Sequence, residues 1–218
     1  MSWTEPKPAG GERRLAALSG RDAIRWHSLT GRIAEAADHR LSGRVLANRV
    51  LSPGPRWSPE PFASALMGAR TRARRMATPM LLRTDVADFY PSVAPSALFS
   101  CLRSLEVSVA VSRTAAEMLE GWGSEDYRGL PIGPPGSAVV ANVTLAPVDG
   151  ALRPWPFLRW VDDYLIGVPS ERAASGVLER MDGALDRLGL RRSDRKTELL
   201  EPGAGFRWLG ASLVPTRR

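Results

Sequence analysis

The stretch that most constrains this chain is FLRWVDDYLIG, residues 157–167, where two adjacent carboxylates, Asp162 and Asp163, sit inside a largely apolar run. Taking a charge out of water without a partner costs several kcal/mol even after the protein relaxes. The run divides into two short strands, FLRWV and YLIGV, with the aspartates at the bend. Taken alone, the pair has a plain alternative: Asp-Asp is common in surface turns, where the side chains cap the backbone and need no metal. What decides between the two readings is whatever else the chain brings to that bend.

A strand is predicted at LLRTDV, ending at Asp85. Pro91 to Pro95 then turn the chain into a helix with apolar residues at 98, 101, 102 and 105, the spacing of one buried face. A short helix is expected over 112–122. GLPIGPPGS, residues 129–137, reads as a rigid loop with Ser137 as N-cap of the next helix, AVVANVTLAPV. After the hairpin, Ser170 can cap an amphipathic helix with apolar residues at 174, 178, 181, 185 and 188, closed by Gly189. Further strands are expected at TELLE and FRWLGASLV. The order strand, helices, hairpin, helix, strand is a split β-α-β pattern of the α+β class, ferredoxin-like, with helices on one face of an antiparallel sheet. Upstream, residues 1–14 read as a flexible end, and 15–80 form a separate Arg-studded region with a helix over 21–38. Residues 81–218 make up the main body.

In that pattern the first strand and the hairpin are sheet neighbours, so Asp85 can approach the bend. Strand side chains alternate between faces, which makes Asp85 and Asp162 the expected first ligands of a metal and Asp163 a supporting member. Oxygen ligands of this kind suit Mg²⁺, which takes one or two carboxylates and completes its shell with water and substrate phosphates. A single cysteine, Cys101, and two histidines, His27 and His39, leave no Cys- or His-based metal site to compete.

Composition narrows the partners. The formal charge of +7 suits a polyanion, although nearly all of it is Arg, a bias that base composition of a genome also produces. Only Lys7 and Lys196 are lysines among 30 basic residues. No segment approaches the roughly 20 apolar residues of a membrane span, and no secretory signal opens the chain, so a cytoplasmic protein is expected.

Five ordered motifs, TDVADFYPSV, GLPIGPPGSAVVAN, RWVDDYLIG, GLRRSDRKT and FRWLG, together resemble the palm of reverse transcriptases over residues 80–212. The resemblance implies a right-hand polymerase palm with a short fingers-like N-terminal region, and an RNA-directed DNA polymerase working with two Mg²⁺ ions, or Mn²⁺ in their place. Its substrates would be an RNA template, a DNA or RNA primer and dNTPs. By the same resemblance Asp85, Asp162 and Asp163 are metal-binding carboxylates. Val86 places its backbone at the ion and the incoming triphosphate, and Tyr90 is an aromatic gate that excludes a ribose 2′-hydroxyl. Pro131, Gly133, Ser137 and Asn142 line the nascent base pair, with Arg72 and Arg75 gripping triphosphate or template. Lys196 protonates the leaving pyrophosphate, and Phe206, Trp208, Leu209 and Gly210 form the hairpin that grips the primer, although packing explains those rings equally well.

There are departures. Ile132 stands where the family has Gln, Pro134 and Pro135 remove N–H donors from the loop, and Ser193 replaces an Asn. The Leu-Pro-Ile-Gly-Pro form is similar to abortive-infection and other bacterial defence-associated members. No thumb follows the last hairpin, so a protein partner or a homo-oligomer is expected to supply it. A catalytically silent nucleic-acid-binding palm and a template-independent terminal transferase are the competing readings.

Overall fold

The computed structural model describes residues 2–6, 12–52, 56–123, 128–201, 203 and 205–216. In chain order the strands and helices are β1 (Ser2–Pro6), β2 (Glu12–Ala16), α1 (Gly20–Ala37), α2 (Phe62–Arg74), β3 (Met80–Asp85), α3 (Phe89–Ser92), α4 (Pro95–Ser104), α5 (Val109–Trp122), α6 (Pro135–Thr144), α7 (Ala146–Ala151), β4 (Phe157–Trp160), β5 (Asp163–Val168), α8 (Glu171–Asp186), β6 (Glu198–Leu200), β7 (Phe206–Trp208) and β8 (Ala211–Leu213). Helix starts follow local chemistry. The hydroxyls of Ser19, Ser108 and Ser170 accept the backbone N–H three residues on, as N-caps do, and Pro95 occupies the first turn of α4.

The expected boundary at residue 80 is not where the contacts divide. One compact unit is Met1–Leu41, Val50–Pro59 and Asp88–Thr144; the other is Ser42–Arg49, Glu60–Ala87 and Leu145–Arg218. The chain passes back and forth because the long-range partners of β3 come from residues 145 onward.

The first unit is helical. α4 packs on α5, and both α1 and α4 pack on α6, around Trp26, Ile33, Leu98, Leu102, Leu119 and Val140. Residues 1–14 were expected as a flexible end, but β1 pairs with β2 in an antiparallel hairpin, tied down where the Ala16 amide donates to the Ile132 carbonyl at 2.9 Å; residues 1 and 7–11 lie outside the described residues. The expected N-cap role of Ser137 also fails. Proline's fixed φ suits a first helical position, so α6 starts at Pro135 and carries Ser137 inside the helix, buried, its hydroxyl accepting from Trp26 Nε1 at 3.2 Å.

The second unit is built on a four-stranded antiparallel sheet of order β4-β5-β3-β6. Alternation along β3 and β5 sends Leu82, Thr84, Tyr164 and Ile166 to the face where α8 packs on β5 and α7 on α8. Leu81, Arg83, Asp85, Asp163 and Leu165 take the other face. That second face is not open, as helices on one face alone would leave it. α2 and the β7–β8 hairpin close it in a cluster of Leu46, Ala69, Ala73, Leu81, Leu158, Leu165, Phe206, Trp208 and Leu213. Among the described residues no helix is long and apolar enough to cross a membrane.

Candidate active site

The sheet register brings the acids together. Asp85, the last residue of β3, is the direct cross-strand partner of Asp163, the first residue of β5, so their side chains share a face. Alternation was expected to leave Asp163 as the outlier. It does not apply to Asp162, because that residue sits in the turn before β5, after Val161 in a left-handed conformation with φ of 56°. The Val86 amide donates to the Asp162 carbonyl at 3.2 Å, stitching the end of β3 to this turn.

The three carboxylates then part ways chemically. Asp163 Oδ1 accepts from Trp208 Nε1 at 2.8 Å. Asp85 Oδ1 accepts from Lys196 Nζ at 2.8 Å, the lysine 56% exposed and the aspartate 13%. Burial pushes the Asp162 carboxyl from 3.8 up to about 7, and the Asp85 charge adds to that rise. Burial also raises Asp163 to about 6, with the Trp208 bond pulling the other way. Desolvation and mutual repulsion thus disfavour the charged form; Lys196 relieves it at both acids, and Arg83 does so at Asp163.

Residues 191–197 hold that lysine in place. The Ser193 amide donates to the Asp85 carbonyl and the Ala87 amide to the Arg191 carbonyl. Arg192 reaches Asp182 of α8, Asp194 and the Thr197 hydroxyl, which in turn shares a 2.7 Å hydrogen bond with Thr84 of β3. The contacts to Asp85, Ala87 and Thr84 were not visible as a motif, since each joins residues more than 100 positions apart in the chain.

Among the described residues no group of three or more His, Cys, Asp or Glu side chains is arranged to hold a metal ion. The donor set nonetheless fits Mg²⁺, which needs only one or two carboxylates when substrate phosphates and water complete its shell. Two acids lifted toward neutrality by crowding are what an added divalent charge would relieve.

The remaining expected site residues fall as follows. Tyr90 of α3 is half-buried; its carbonyl accepts from the Leu130 amide at 2.8 Å. Gly129 passes so close that a Cβ there would lie 2.2 Å from the same carbonyl, and its φ is 76°, so only glycine fits. Pro131 is buried and Gly133 exposed, while Asn142 lies within α6 with no exposure. These belong to the first unit, whereas the acids belong to the second. In the second unit, Arg72 is exposed and donates to the Gly43 carbonyl, and Arg75 caps α2 in solvent. Phe206 and Trp208 are buried in β7, and Leu209 and Gly210 form its turn, with φ of 48° and 74°. The Leu209 carbonyl accepts from Arg70.

The profile of the reverse transcriptase (RNA-dependent DNA polymerase) family matches residues 37–213. The chain belongs to this family. Family membership and the mixed fold with its antiparallel sheet agree with the expected class. Among solved structures, a telomerase from Candida albicans in complex with a TWJ fragment of telomeric RNA is similar, with a TM-score of 0.59 and 13% identity. The match covers 99% of this chain and 44% of that one, so this chain spans less than half the length of its telomerase neighbour. At that identity the likeness is one of fold. No curated protein matches the chain. Trp208, expected in a primer-gripping hairpin, bonds one of the acids, Asp163.

Proposed function

We propose that the chain is an RNA-directed DNA polymerase that adds deoxynucleotides to a primer 3′-hydroxyl by a two-metal mechanism. The observation that supports this most is the meeting of Asp85 with the Val-Asp-Asp turn at the ends of the two central strands, in a chain of the reverse transcriptase family. When bound, two Mg²⁺ ions supply the activation of the attacking hydroxyl and the neutralisation of the leaving phosphates. Asp85 and Asp162 would hold them, with the backbone of Val86 beside the triphosphate. Asp163, engaged by Trp208, keeps the turn in register. Lys196, which bonds Asp85 here, would donate a proton to the departing pyrophosphate. Tyr90 closes the space beneath the sugar; Pro131 and Gly133 line the nascent base pair, with Ser137 and Asn142 supporting them from within α6. Arg72 and Arg75 grip template or triphosphate, and the turn at Leu209 and Gly210 meets the primer end. Ile132 and Pro134 in the loop support a bacterial, defence-associated member of the family.

A catalytically silent nucleic-acid-binding module is the second reading. It is favoured by the hydrogen bonds that Asp85 and Asp163 already accept from Lys196 and Trp208. Incorporation of a single dNTP into a primer annealed to a defined RNA strand, with Mg²⁺ and then with chelator, separates the two. Extension that the chelator abolishes supports the polymerase, whereas RNA binding of equal strength in both conditions with no extension supports the module. The sugar gate has its own test. Tyr90→Ala is expected to raise ribonucleotide relative to deoxynucleotide incorporation by about tenfold or more, as removal of a steric block worth one to three kcal/mol (roughly) would do; an unchanged ratio assigns Tyr90 to packing.

A further inference from the structure

The turn that presents Asp162 is strained, and something must hold it. Val161 is β-branched and non-glycine, yet its φ is 56°, a region such residues avoid because Cβ meets the backbone. Strained residues persist only where their surroundings over-determine them. Two hydrogen bonds grip this one: the Val86 amide on the Asp162 carbonyl, and Arg159 Nη1, which donates to the Val161 carbonyl at 2.8 Å.

Arg159 is itself immobilised. Its side chain has no exposure, and its guanidinium forms a bidentate pair with Asp149 of α7, Nε to Oδ1 at 2.8 Å and Nη2 to Oδ2 at 2.6 Å. The Tyr164 hydroxyl donates to the same Oδ1 at 3.2 Å, and the guanidinium lies 5.7 Å from the Tyr164 ring centroid. The Arg159 amide donates to the Arg44 carbonyl, and the Leu46 amide to the Arg159 carbonyl, both at 2.9 Å. Stability alone does not call for this arrangement, because a buried ion pair replaced by well-packed apolar side chains is often neutral or better. The arm reaching Val161 is the part that core packing does not explain.

We infer that Arg159, anchored by Asp149 and Tyr164, is a positioning residue that locks the Val161 turn and thereby aims Asp162 at Asp85. The inference rests on the polymerase reading for its effect on turnover, but not for its effect on the turn. The test compares native chain, Arg159→Met with Asp149→Leu, Arg159→Lys, and the double variant with Val161→Gly added. Lysine keeps the charge against Asp149 but lacks the fork that reaches Val161 as well. Exchange of the Val86 amide, followed by NMR, is expected to accelerate about 10- to 100-fold in both Arg159 variants while the other β3 and β5 amides stay protected, the size of losing a hydrogen bond from a charged donor. Single-turnover extension is expected to slow by a similar factor with the KM for dNTP within about threefold, since the lost contact shapes the reacting geometry and not uniform binding. Glycine accepts a positive φ without strain, so Val161→Gly is expected to restore most of both. Unchanged Val86 exchange in a folded Arg159→Lys or double variant overturns the inference, as does failure of Val161→Gly to restore either readout. Should the double variant not fold, Arg159→Lys decides by the same exchange measurement. Should the native chain extend no primer, the polymerase reading falls, and Val86 exchange still decides whether Arg159 locks the turn.

Discussion

Asp162→Asn is expected to lower primer extension by about a thousandfold or more, roughly 4 kcal/mol in the barrier, and at the same time to make the metal-free protein more stable at pH 8. Both effects have one origin. The carboxyl is raised from 3.8 to about 7 by burial, and then by the neighbouring charge of Asp85. Between those pH values the folded chain keeps a proton that the unfolded chain has released. The folded state then binds more protons than the unfolded one, so stability falls as pH rises through the window from about 4 to about 7. Above it the full penalty is present, on the order of a few kcal/mol. Asparagine does not titrate. Thermal unfolding in chelator is therefore expected to show native and variant alike near pH 4 and the variant higher at pH 8. Adding Mg²⁺ at pH 8 is expected to raise the native chain and leave the variant nearly unmoved. A native chain no less stable than the variant at pH 8, or an equal response to Mg²⁺, would remove Asp162 from the metal site.

The adjacent acid is expected to behave differently. Asp163 shares a face with Asp85, but its Oδ1 is taken by the indole of Trp208, which is only 1% exposed. Asp163→Asn retains an amide oxygen that can accept the same bond, so extension is expected to fall at least about tenfold less than with Asp162→Asn. Trp208→Phe keeps most of the ring volume within the α2 and hairpin cluster but leaves the half-buried Asp163 carboxylate without its indole donor, at a cost of about 1–3 kcal/mol in denaturant unfolding. Because the indole bond holds Asp163 down, its loss moves that carboxyl further up. In the double variant the two changes are expected to be less than additive, with a coupling of about 1 kcal/mol or more, since with Asn at position 163 the loss of the indole donor strands no charge. Equal and complete loss of extension in Asp163→Asn and Asp162→Asn, with additive stabilities, would make the acids equivalent ligands.

The acids were legible in the sequence because charge in an apolar strand demands an explanation, and Asp85 at a strand end supplied the partner. The strands around them were legible for the same reason, through alternation and the bend. Their division of labour was not. Alternation assigned Asp162 to the face of Asp85, yet the left-handed Val161 takes Asp162 out of the strand and leaves Asp163 as the register partner. The Arg159, Asp149 and Tyr164 network was hidden because nothing local tells that α7 lies against the strand face carrying Arg159 and Tyr164. An arginine two residues after a buried phenylalanine, on the same side of a strand, was the available signal. Ser137 misled because a Ser before an apolar run mimics an N-cap, while the two prolines ahead of it had already begun the helix. The interleaving of the two units was equally unreadable, since it depends on which distant segments pair with β3.

The most direct test of the central claim is the sequence of what the chain makes. A primer annealed to a heteropolymeric RNA of defined sequence, incubated with the native chain, all four dNTPs and Mg²⁺, is expected to yield DNA complementary to that RNA, with none formed by Asp162→Asn. Product whose sequence ignores the template, or extension that survives Asp162→Asn unchanged, would contradict the account.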